Sequence, residues 1–202
     1  MKPIRAIVLL ALALGLSACS AVDTVTRGLP LGEPTMARAV TAPSYAVQDV
    51  RVVVPTNLRV SEANGYRPVA DIVWRGDPYG NRYEQITAIF EDGMSRGAAQ
   101  LNGQTPVVVD VQVARFHALT ERARYTVGGT HSIKFILTVR HAETGAIIDG
   151  PRLVKADLKA FGGTAAINAE RRGQTQKVRI TQHLANVIQQ QLVMAPRPTN
   201  AS

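Results

Sequence analysis

The sequence predicts an α+β domain in which an antiparallel sheet of about five strands carries two main helices on one face, in the order β-β-α-β-β-β-α. Three observations carry that prediction. Val107, Val109, Val111 and Val113, and then Ile133, Phe135, Leu137 and Val139, recur at every second position. That is the period of a strand with one dry side. Tyr83, Ile86, Ile89, Phe90, Met94, Gly97 and Leu101 recur every three or four residues instead, which lays one apolar stripe along a helix. Ile180, Leu184, Val187, Ile188 and Leu192 repeat the helical spacing near the C-terminus.

Each element has local support. Val47 to Val54 is dense in β-branched residues and ends at Pro55, so it reads as a strand. Ala70 to Arg75 reads as a shorter one, with Ile72 and Trp74 on one side. Asp77-Pro78-Tyr79-Gly80-Asn81 has turn chemistry. The first helix then runs from Arg82 to Leu101 and ends at Asn102-Gly103, because glycine supplies the left-handed residue of a C-cap. Gly93 and Gly97 would let this helix lie close to a sheet. Ser132, Lys134, Thr138 and Arg140 fall on the wet side of the Ile133–Val139 strand. Glu143-Thr144-Gly145 is a three-residue hairpin loop. The next strand spans Ala146 to Phe161 and bends at Gly150-Pro151. The last helix covers Thr175 to Met194, while residues 164–172 read as either loop or a separate helical piece ended by Gly173.

The chain begins differently. Lys2 and Arg5 precede an apolar run from Ala6 to Leu16, followed by the small residues Ser17 and Ala18 and then Cys19, the one cysteine among 202 residues. That is the layout of a secretory signal, and the run is shorter than the roughly 20 apolar residues a membrane span needs. Leu16-Ser17-Ala18-Cys19 resembles the lipobox of bacterial lipoproteins. The resemblance implies that residues 1–18 are removed and that Cys19 carries the lipid, palmitate included. It implies a membrane partner reached through the N-terminal lipid. Ser20, where aspartate would be the retention signal, resembles lipoproteins sorted to the outer membrane on its periplasmic face.

Cleavage would take Lys2 and Arg5 from the 23 basic residues, leaving 21 against 15 acidic ones, a net charge of +6. No disulfide can form in the mature chain, so stability must come from apolar burial. Residues 19–46 are rich in Thr, Ala, Pro and Gly and read as a lipidated tether, or in part as an edge segment. A coil of that length reaches about 30 Å. Residues 47–194 form one globular domain, and 195–202, with Pro196 and Pro198, a disordered tail.

The chain lacks the spacings that carry common chemistries. His117, His131, His141 and His183 do not share the spacing of paired metal ligands and read as surface imidazoles. There is no nucleophile elbow, and Gly128-Gly129-Thr130 and Gly162-Gly163-Thr164 lack the lysine of a phosphate loop. They read as turns. Asp71 and Asp110 read as wet-face residues or arginine partners. No catalytic residue, metal or cofactor is expected, and no nucleic-acid partner either, because the compartment that the lipobox resemblance implies contains little of it. Two patches stand out as contact candidates. Trp74, Tyr79 and Tyr83 gather aromatic residues near one turn and read as core and rim packing or, more sharply, as a contact site. Arg152, Lys155, Lys159, Arg171, Arg172, Lys177 and Arg179 face only Asp157 and Glu170 between residues 150 and 180, an excess that reads as a solvated face or, more sharply, as a contact for an anionic surface or an acidic partner.

The segment Val107-Val108-Val109-Asp110-Val111-Gln112-Val113-Ala114-Arg115-Phe116, with the hairpin and helix after it, resembles the auxiliary lipoproteins of envelope ABC transport systems. It is equally similar in layout to uncharacterised lipoproteins of Gram-negative bacteria. Either resemblance implies a non-enzymatic binding or scaffolding role with a protein partner in the envelope. The alternative from another class is a lipid-anchored hydrolase acting on cell-wall or envelope glycans.

Overall fold

The computed structural model of the protein describes residues 43–194. The signal, Cys19, most of the expected tether and the C-terminal tail lie outside the described residues. The elements are β1 (Tyr45–Val53), β2 (Ile72–Val73), α1 (Arg82–Ala98), β3 (Thr105–His117), α2 (Glu121–Arg124), β4 (Gly129–His141), β5 (Ile147–Lys155), β6 (Leu158–Ala160), α3 (Gly163–Arg171) and α4 (Gln176–Val193).

The α+β class is as predicted, with six strands in one sheet ordered β1-β3-β4-β5, β2 adding to β3 and β6 to β4. The β3–β4–β5 portion is antiparallel, joined by the hairpin loop in which Gly145 has φ +69°. β1 and β2, however, pair with β3 in parallel, so the sheet is mixed. The reason is the α1 crossover: it returns the chain to the end of the sheet where β1 started, as a parallel connection requires. Tyr45 and Ala46, expected in the tether, are already paired with Thr105 and Pro106, and the Tyr45 side chain is buried.

The alternation places Val107, Val109, Val111 and Val113 of β3 and Ile133, Phe135, Leu137 and Val139 of β4 in one core with the stripes of α1 and α4. Its centre is a chain of rings: Trp74 to Phe116 (5.6 Å), Phe116 to Phe90 (6.1 Å) and Phe90 to Phe135 (5.8 Å). The first and last of these meet edge-on, a contact that adds to simple burial.

The glycines of α1 work differently from expectation. A Cβ at Gly93 would stand 2.8 Å from the Thr181 carbonyl oxygen, and one at Gly97 would run into the Ala185 carbonyl and Ile188 Cγ2. They bring α1 against α4, helix on helix, rather than against the sheet. Gly97→Ala is expected to lower stability by about 1–3 kcal/mol, despite alanine's better helix propensity. Chemical denaturation checks it, and an unchanged midpoint would mean the two backbones do not meet at Gly97.

Helix ends also correct the sequence reading. Asn81 caps α1 by accepting from the Tyr83 and Glu84 N–H groups, but the helix stops at a right-handed Ala99 before Asn102-Gly103. Gly103 instead lies tight against Ser44 and donates to the Tyr45 carbonyl (2.8 Å), closing the start of β1. Residues 163–171 do form a helix. Gly173, at φ +74°, ends it as Gly173 N–H donates to Glu170 O (2.8 Å) and Gln174 N–H to Ala169 O (2.9 Å), a Schellman motif. The two diglycines meet: a Cβ at Gly162 would overlap Gly128. They are turns packed backbone on backbone. No helix among the described residues is long and apolar enough to cross a membrane.

Candidate functional site

Helices α1 and α4 cover one face of the sheet, and the face opposite presents exposed side chains in rows set by strand register. One row is Val53, Gln112, Ile136 and Leu153, from β1 across β3 and β4 to β5. Val53 and Leu153 are 58% and 54% exposed, and Ile147 at the neighbouring edge is 51% exposed. Residues 51, 53, 110–112, 136, 138, 140, 147 and 151 line a shallow groove of about 470 Å³ over this part.

The next row toward the far end is Arg115, Lys134 and Lys155, paired directly across β3, β4 and β5. A one-residue shift between Val113 and Arg115 brings Arg115 into that line. Like charges directly opposite one another disfavour a sheet. None of the three has a carboxylate partner among the described residues, whereas Arg51, Arg75, Arg82, Arg96, Arg124, Arg140 and Arg152 each have one. On this same face Asp110 is held by Arg140 at 2.7 Å, two rows away.

Beyond the row the face opens into a cleft of about 590 Å³ between residues 59–71 and 127–130. Arg59, Arg67, Arg115 and His117 line it, with Asp71 its one carboxylate. Asp71 is turned to the Arg59 N–H (3.0 Å), Arg115 donates to Ala70 O (3.2 Å), and His117 Nε2 lies 2.9 Å from Pro68 O. The cleft volume is that of a ligand site. Its wall is held by a buried cation: Arg82, 5% exposed, donates to both oxygens of Glu62 (2.6 and 2.9 Å). Those bonds hold the Glu62 carboxyl below its ordinary range, against the opposing effect of burial. Cations and cleft sit toward the His117 end of β3, about 30 Å along the strand from Thr105, where Tyr45 brings the chain in.

The residues singled out from the sequence scatter. Trp74 is fully buried and donates from Nε1 to Asp77 Oδ2 (2.9 Å), so it is a core residue and no contact site. Tyr79 is exposed with Arg82 over its ring, whereas Tyr83 packs on the core and donates to Leu58 O (2.8 Å). Arg152 is no surface cation: it turns to the helix side, pairs with buried Asp149 (3.1 Å) and reaches Gln191. Lys177 binds Asp77 (2.8 Å), pinning the turn before α1 to α4. Arg179 covers the Phe161 ring at 3.9 Å. Lys155, Lys159, Arg171 and Arg172 are exposed. Only Lys155 joins the cationic row.

His131 overturns the surface reading of the histidines. It is fully buried, accepts from the Leu119 N–H through Nδ1 (3.3 Å), and its Nε2 has no protein partner. Burial, then the charges of Arg179, Arg124 and His183, lower its pKa to about 3. Burial also lowers His183, partly offset by the Ala156 and Asp157 backbone. Among the described residues no group of three or more His, Cys, Asp or Glu side chains converges as metal ligands would. Sequence reasoning missed Arg115 and Lys134 as partners of Lys155. Their alternation was visible, but their register was not.

A family model described as "Family of unknown function (DUF6778)" matches residues 45–202. No curated protein matches the chain. Among solved structures, a Xanthomonas campestris protein of the DUF330 family model is similar at 14% identity and TM-score 0.44, over 77% of this chain and 86% of that one. A candidate lipoprotein from Caulobacter crescentus is similar at 15% identity and TM-score 0.33, over 53% of this chain and 80% of that one.

Proposed function

Because the chain belongs to the family of unknown function DUF6778, we propose its role from its own residues: a lipid-anchored envelope lipoprotein with a non-enzymatic binding or scaffolding role. Cys19 carries the lipid and holds the protein on the periplasmic face of the outer membrane. The domain serves an envelope transport or assembly complex as an auxiliary component.

The observation that supports this reading is the open sheet face. Arg115, Lys134 and Lys155 stand in register without a carboxylate, an arrangement that costs the isolated domain stability and that a bound anionic surface offsets.

Site-specific photocrosslinking in cells tests the proposal. A photoreactive residue at Leu153 is expected to give a discrete protein adduct in the membrane fraction, and one at exposed Gln182 of α4 to give none. Cys19→Ala is expected to abolish labelling by radioactive palmitate and to lose the adduct. Identical patterns from positions 153 and 182, or palmitate labelling that survives the substitution, would refute it.

A further inference from the structure

We propose that the open sheet face is the docking site for an acidic amphipathic α-helix of a protein partner, a statement that rests on the binding role above and names the partner's chemistry. Two parallel rows carry it. The mainly apolar row is Val53, Gln112, Ile136 and Leu153, interrupted by one exposed amide, and the cationic row is Arg115, Lys134 and Lys155. Lys134 precedes Ile136 by two positions on β4, and on antiparallel β5 Lys155 follows Leu153 by two, so the rows lie about 7 Å apart. Both therefore fit beneath one helix of about 10 Å diameter lying across the strands.

Spacing along the rows agrees. Neighbouring strands stand about 4.8 Å apart, so the three cations repeat at that interval. A helix lying along the row presents one carboxylate per turn at a pitch of about 5.4 Å. The long lysine and arginine side chains absorb the difference. Leucines on the adjacent stripe of the same helix would cover Val53, Ile136 and Leu153. The face is thus the complement of adjacent acidic and apolar stripes.

The same geometry disfavours other occupants. A shallow, open groove with Val53 58% and Leu153 54% exposed leaves one side of a lipid chain in water. A second copy offers no matching helix among the described residues. The exposed acids of α1, Glu84, Glu91 and Asp92, lack an exposed apolar stripe beside them, α4 carries no acid, and the one acid of α3, Glu170, is held by Arg124 at 3.3 Å.

The test uses the full lipidated chain in phosphatidylcholine nanodiscs, with empty nanodiscs as the blank. The probe is a labelled 18-residue peptide with one glutamate per turn beside a leucine stripe, read by fluorescence anisotropy. It is expected to bind, to weaken as salt rises, and to lose about tenfold or more in affinity when its sequence is scrambled. Lys134→Glu with Lys155→Glu is expected to weaken binding by a similar factor. Lys155→Gln should weaken it severalfold, and thermal melts establish that both variants stay folded. Equal binding of the scrambled peptide, an unchanged double variant, or no binding by the folded wild type overturns the proposal. Displacement of the peptide by phosphatidylglycerol vesicles, or self-association that the double variant abolishes, does so too. Adducts from position 153 that persist without peptide binding reject the helix and leave the tethered binding role standing. Absence of those adducts removes that role whatever the peptide does.

Discussion

Phe135→Ala is expected to cost about 3–5 kcal/mol of folding stability, the range for removing a buried phenylalanine. The side chain lies at the middle of β4, fully buried, where its ring meets Phe90 at 5.8 Å and joins the series that runs on to Phe116 and Trp74. Little around it can close the hole. Its neighbours are a paired strand on each side, with α1 and α4 held together at Gly93 and Gly97 above. Leu184→Ala, from the opposite side of the same core, is expected to cost about 2–5 kcal/mol. Lys134→Ala, one residue before Phe135 but on the open face, should stay within about 0.5 kcal/mol. Urea denaturation of the three variants checks the set. Similar losses at positions 134 and 135 would mean the strand is displaced by one residue, which reverses every side chain.

Acidification is expected to destabilise the domain through His131. Its folded-state pKa of about 3 lies below the value near 6.5 of an unfolded histidine. Protonation therefore favours the unfolded chain. The neutral ring's contribution is complete above about pH 6.5 and is lost progressively as pH falls toward 3. By pH 4 this one group is expected to have removed about 3 kcal/mol. His183, lowered in the same direction, adds to the loss. His131→Asn keeps an acceptor for the Leu119 N–H and cannot titrate in this range. It should flatten the fall between pH 6.5 and 4 even where it lowers stability at pH 7. Denaturation midpoints across that range decide it. A variant that loses stability with acid as steeply as the wild type would place the sensitivity elsewhere.

Periodicity determined the class of fold, the dry sides of β3 and β4 and the buried stripes of α1 and α4, and turn chemistry the hairpin at Gly145. These are local properties: a side chain's face follows from its position within a strand or helix turn. The lipobox resemblance was legible for the same reason, being four consecutive residues. Tertiary structure decided what depends on partners distant along the chain. The parallel addition of β1 and β2 follows from the α1 crossover, and Gly97 is read correctly only once Ala185 is seen against it. His131 looked available, and Trp74 could be read either way, because a single residue carries no signal of what folds over it. Ala160, Ala169 and Gln176, which line a small cavity together with His131, follow it by dozens of positions. The candidate site divides the same way. Sequence placed Lys134 on the wet side of its strand and Lys155 among unbalanced cations. Arg115 joins them only because β3 gains a residue between Val113 and Arg115 before pairing with β4. Strand register is a long-range quantity, settled by packing of the whole sheet rather than by any residue in the row.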